Sequence, residues 1–200
     1  SLLKEDLELK LWTADALISE GRWEEAKYQL RDISENENTD TFTLLQTALL
    51  QRKIGDTYGS LTTLLTAASQ SPENIDVRYQ LGLQLSISQP DSALRFLSET
   101  QNSDPSKQDV CSALISIIEQ TKDTGNSAER FIYIGQTLAK FEEWALAQLA
   151  FISATTINPN NAAAWALMAE SAQQNGQDGF IYLQKSQEID PESEIVNGVS

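Results

Sequence analysis

Apolar residues recur along this chain at steps of three and four, in blocks separated by short polar turns. Phe131, Ile134, Gly135 and Leu138 form one such stripe. After Phe141-Glu142-Glu143 a second stripe carries Ala147, Phe151 and Ala154. Turns rich in Gly, Pro and Asn punctuate the blocks, and none of them alternates with the period of a strand. The spacing predicts an all-α chain, with helices near 2–20, 22–35, 41–54, 57–70, 75–88, 91–101, 107–122, 128–140, 143–157, 162–174 and 177–189.

The blocks come in pairs, and the pairs repeat. The pair from Ala128 to Asn161 is followed by another opening at Ala162, a period of 34 residues. Thr41–Asn74 fits the same frame, with Leu44, Thr47 and Ala48 on its first helix, Gly55 at the turn, and Leu64 and Ala67 on its second. Ile75–Lys107 fits with one residue fewer, carrying Leu81, Gly82 and Leu85, then Ala93 and Leu97. Leu7–Asp40 matches through Ala14, Leu17, Gly21, Ala26 and Leu30. The last unit, from Ala162 to Pro191, carries Trp165, Met168 and Ala169. This arrangement of aromatic, large apolar and small residues on one helix, then Ala, a large residue, Ala and Pro on the next, resembles the tetratricopeptide repeat (TPR) family. The resemblance implies antiparallel helix pairs stacked in a right-handed solenoid. It also accounts for the regular small residues: Gly135 and Ala169 leave a notch on the first helix of a pair, and Ala147 and Ala154 present small faces on the second.

Residues 108–127 do not fit. They hold one apolar face (Val110, Ala113, Leu114, Ile117, Ile118), hence one extra helix near 107–122 and not a pair. The expected organisation is three TPR-like units over 1–107, this single helix within 108–127, two units over 128–194, and the start of a following segment at 195–200. Cys111 lies on the single helix, with no histidine in the chain to activate it, so it reads as a buried thiol.

At 40% hydrophobic residues the chain can build a core. No apolar run is long enough to insert directly into a membrane. The charged N-terminal stretch is not a signal peptide. One cysteine permits no internal disulfide, which fits a reducing, cytoplasmic setting. A chain without tails at either end is also compatible with a piece of something longer, which would hide a targeting segment. The net charge is −15, distributed as −6 over 1–40, −1 over 41–107, −3 over 108–161 and −5 over 162–200. A phosphate-neutralising basic stripe is absent, so nucleic acid is not an expected partner. Histidine, a cysteine cluster and a Gly-rich phosphate loop are all missing from the sequence, so no catalytic site, metal or cofactor is expected. Glu24-Glu25 and Glu142-Glu143 read as acidic caps of helix N-termini.

In a stacked array the first helices line a concave surface. Stepping 100° per residue from the packing stripes places Trp12, Phe42, Gln46, Leu49, Tyr79, Gln80, Leu83, Tyr133 and Gln136 on that surface. Aromatic anchors interleaved with amides suit a peptide or helix of a protein partner. TPR modules that grip a terminal carboxylate resemble one another in Lys, Arg and Asn at such positions; none stands here. The expected function is a non-catalytic interaction scaffold. The second reading is a regulatory or targeting part of a larger protein, an enzyme included, packed on its own partner domain.

Overall fold

A computed structural model of the protein describes residues 2–125 and 127–191. Eleven α-helices are present among them: α1 (Leu2–Ser19), α2 (Trp23–Ser34), α3 (Thr41–Lys53), α4 (Thr57–Gln70), α5 (Ile75–Ser88), α6 (Pro90–Ser103), α7 (Gln108–Gln120), α8 (Ala128–Lys140), α9 (Trp144–Ile157), α10 (Ala162–Gln174) and α11 (Phe180–Ile189). No strand occurs in the described residues. First helices open at Thr41 and Ile75, and again at Ala128 and Ala162, 34 residues apart in each case. The expected segment at 195–200, like residues 192–194 of the last unit, lies outside the described residues.

The turn within a pair is closed by one repeated device. The N–H groups of Gly21, Gly55, Glu142 and Gly176 bond to carbonyls three residues back, and the next N–H groups, from Arg22, Asp56, Glu143 and Gln177, bond five residues back. This is the Schellman ending of a helix, which needs a left-handed residue at its pivot. Three pivots are glycines with φ near +75°, and the fourth is Glu142 at φ 63°. A side chain in that conformation is strained, so Glu142→Gly should stabilise the protein by roughly 0.5–1 kcal/mol after the entropy of the freer unfolded chain is counted. Thermal melting checks this, and a lower melting point than the parent's would contradict it.

Glu24 and Glu25 stand in the first turn of α2, as expected, but side-chain capping bonds fall to other residues. Asp40, Asp56, Ser127 and Asn161 accept backbone N–H groups of Thr43, Gly59, Arg130 and Ala164, and Asn74 does the same for Val77. Glu143 stands at the N-cap of α9 without a side-chain cap bond, and Glu25 is held by Arg22 at 2.7 and 2.8 Å. The Pro-x-Asn turns are used twice in the same way. Pro72 and Pro159 each accept a bond from a side chain six residues on, from Arg78 Nε at 2.7 Å and Trp165 Nε1 at 2.8 Å.

The chain forms two compact units, 1–81 and 82–200. In the first, Ala14, Leu17, Ile18, Ala26 and Leu30 make a core between α1 and α2, against which Leu50 of α3 and Ile54 at its C-cap pack. In the second, Ala128, Phe131, Ala154 and Ala164 bring α8, α9 and α10 together. The predicted notch is present there. A Cβ on Gly135 would lie 2.5 Å from Phe151 Cε1, and one on Gly82 would lie 3.0 Å from Leu97 Cδ2.

Helix α7 lies inside the second unit, packed on α6 and on α8. It buries Cys111, Leu114 and Ile118, a face rotated slightly from the predicted one, with Val110, Ala113 and Ile117 only half-buried. Burial pushes the Cys111 thiol up to about 11. Its thiolate fraction near neutral pH is therefore far below that of a free cysteine, and a disulfide reagent should leave it unmodified in the native protein but label it fully in denaturant. Rapid native labelling would overturn that placement.

The start of α11 departs most from expectation, falling at Phe180 and not near residue 177. Gln177 accepts a bond from Gln148 at 2.9 Å, and Asp178 accepts the Phe180 N–H at 2.9 Å. Gly179 is pressed so close to α10 that a Cβ there would lie 2.4 Å from the Ala169 carbonyl oxygen. These residues form a packed connection, which delays the helix.

Candidate peptide-binding face

Within the first unit, the expected face is carried by α1, α3 and the start of α5. Trp12 on α1 and Phe42 on α3 project into solvent, each 69% exposed. Gln46, Leu49, Tyr79 and Gln80 are half-buried beside them. Two polar rungs tie these helices together. Lys53 on α3 reaches Asp15 on α1 at 3.8 Å, and Arg52 on α3 donates to the Gln80 side-chain oxygen on α5 at 2.9 Å. Arg52 is buried. The oxygen of Gln80 is thus engaged within the fold, while the aromatic surface is open.

Leu83 belongs elsewhere. It is fully buried, so it serves the core and not a surface. In the second unit, Tyr133 and Gln136 are exposed on α8. The structure thus presents Trp12, Phe42, Tyr133 and Gln136, partly presents Gln46, Leu49, Tyr79 and Gln80, and removes Leu83.

Arg52 and Lys53 belong to this face and lie outside the expected set. The signal was present: continuing the same three- and four-residue steps past Leu49 reaches both. The face is therefore less purely apolar than its aromatic residues suggest, and its two basic groups sit at its edge, each tied to a neighbouring helix.

The described residues contain no group of three or more His, Cys, Asp or Glu placed to hold a metal ion, and no helix among them is long and apolar enough to cross a membrane. They form an all-α helical repeat of antiparallel pairs with TPR-like spacing, an assignment that rests on the helices and turns described above. No family model and no curated protein matches the chain. Among solved structures it is similar to MamA MSR-1 at 19% identity, over 96% of this chain and 98% of that one, with a TM-score of 0.42. MamA AMB-1 aligns at 18% identity over 98% of each chain, with a TM-score of 0.42. MamA 41-end from Desulfovibrio magneticus RS-1 aligns at 16% identity over 94% and 97%, with a TM-score of 0.41.

Proposed function

We propose that this chain is a non-catalytic protein-interaction module that holds a peptide or helix of a partner against its first helices. The observation that carries this reading is the pair Trp12 and Phe42. Large aromatic side chains left mostly in water, on successive first helices of one compact unit, cost solubility and add nothing to the core. As contact anchors they offer large area at little cost in rotamer entropy. The half-buried Gln46, at the position in the repeat that Trp12 holds one unit earlier, adds an amide able to meet a peptide backbone. The core of α1 and α2, with Leu50 of α3 packed against it, holds the helices that carry the anchors, so little ordering is required on binding.

The test uses a peptide selected for binding to the immobilised chain. Trp12→Ala and Phe42→Ala should each weaken its binding by on the order of 1–2 kcal/mol, with the far-UV spectrum unchanged. Raising the salt concentration should alter the affinity little, since the contacts are uncharged. Binding that collapses in salt yet ignores both substitutions would sink the reading.

A further inference from the structure

The second helices of the first unit, α2 and α4, form the walls of a groove of about 380 Å³. It lies inside the unit, between one helix pair and the next. Gln51 of α3 closes its floor, where the Gln51 side-chain oxygen accepts the Thr63 hydroxyl at 2.8 Å. Along the α4 wall, Thr62 and Thr66 donate their hydroxyls to carbonyls one turn back in their own helix. The threonines therefore offer an occupant no free donor.

Four charged side chains line the groove: Lys27 and Arg31 on α2, Glu35 at its C-cap and Asp56 at the N-cap of α4. Asp56 is in use, accepting the Gly59 N–H at 3.1 Å. Lys27 and Arg31 form no ion pair among the described residues, and Arg31 leans over the ring of Tyr28 at 5.7 Å. Elsewhere in the unit, Lys10, Arg22, Lys53 and Arg78 each pair with a carboxylate. Partners at helical spacing are at hand: Glu24 stands three residues before Lys27, and Glu35 four after Arg31. At those spacings Lys10 closes on Asp6 at 3.2 Å and Arg22 on Glu25 at 2.7 Å. Lys27 and Arg31 instead stand one turn apart with like charge, which costs the helix stability.

The lining as a whole is neutral, so the groove selects by position and not by long-range attraction. Two cations about 6 Å apart match two carboxylates one turn apart on an opposing helix. Tyr58, 81% exposed at the start of α4, adds a phenol whose hydroxyl makes no hydrogen bond among the described residues. It is a third donor at the groove. A hollow of this size takes side chains, with the backbone of a partner helix above it. The net charge of −15 repels acidic molecules, but at physiological salt that repulsion is screened beyond about 8 Å. A helix whose few acids are local to the contact escapes most of it.

We propose that the groove between α2 and α4 docks a helix of a partner protein through two Glu or Asp side chains, one turn apart, that pair with Lys27 and Arg31. It lies on the second helices and is separate from the face carrying Trp12 and Phe42.

Two designed helical peptides of identical composition and zero net charge test the proposal by calorimetry against the whole chain. One carries two Glu at i and i+4, on one face; the other carries them at i and i+2, on different faces. The first should bind about fivefold tighter, the worth of two exposed ion pairs. Lys27→Gln combined with Arg31→Gln should remove that difference, and Lys27→Glu combined with Arg31→Glu should turn the preference to a third peptide with Lys at i and i+4. Both side chains are exposed, and the far-UV spectrum checks folding. Trp12→Ala should leave binding unchanged. The proposal is overturned if no peptide binds, if the two spacing isomers bind equally, or if the chain with both Gln substitutions keeps the difference. Loss of binding in Trp12→Ala would also overturn it, placing the peptide on the other face. So would a dimer of the parent chain that dissociates when both cations are replaced, which would give the groove to acids of a second copy.

Discussion

Gly135→Leu is expected to lower the melting temperature by roughly 6–12 °C, corresponding to about 3 kcal/mol of overpacking. The first side-chain atom already collides, because a Cβ at this position falls 2.5 Å from Cε1 and 2.8 Å from Cζ of Phe151. Phe151 has little room to retreat, being 1% exposed on α9. Three further carbons would push α8 and α9 apart and open the contacts of Phe131 and Ala154 behind them. An internal check comes from Gly135→Leu combined with Phe151→Ala. The two residues share one space, so the double variant should lose less than the two single losses added together. Melting of Gly135→Leu at the parent temperature would mean that the notch faces elsewhere.

The second large effect is expected from the smallest possible change. Gly179→Ala should cost about 2–3 kcal/mol, because the clash is with backbone: the Cβ would stand 2.4 Å from the Ala169 oxygen and 3.1 Å from its carbon. A carbonyl inside α10 has no rotamer to change and moves only with its helix. Gly176→Ala, three residues earlier, is the comparison. There a Cβ meets nothing within 4 Å, but φ is +75°, so the cost is limited to the left-handed strain of about 1–2 kcal/mol. Equal losses at the two positions, or a larger one at Gly176, would show that the approach of α11 to α10 is looser than described.

These glycines also show what the sequence made legible. Gly135 was readable because it interrupts a stripe of large residues at helical spacing, and only close packing explains a small residue there. The repeat frame predicted eleven helices, and most boundaries moved by one or two residues at most. Gly179 was not readable, because its neighbours Gln177, Asp178 and Gly179 fit either the first turn of a helix or a packed connection. Only the position of Ala169 decides between them. Glu142 was misread for a similar reason: a glutamate before a helix looks like a cap, and nothing local announces a left-handed backbone. The candidate face was legible as a helical stripe, which finds Trp12 and Phe42. A stripe cannot say how much of each residue a neighbouring helix covers. Leu83 fell within it and is buried, while Arg52 and Lys53 lie one turn beyond it and were passed over.

The four tryptophans divide evenly between the two compact units, Trp12 and Trp23 in 1–81, Trp144 and Trp165 in 82–200. Their surroundings differ as well. Trp12 is largely in water, whereas Trp165 is pinned by its indole N–H to the Pro159 carbonyl and stacked on Tyr182 with ring centres 6.3 Å apart. Replacing either pair with phenylalanine confines the tryptophan emission to one unit, so each can be watched alone as denaturant is added. The chain thus carries its own optical labels for asking whether the units come apart together or in turn, and a single transition temperature for the whole molecule describes it only if they melt as one.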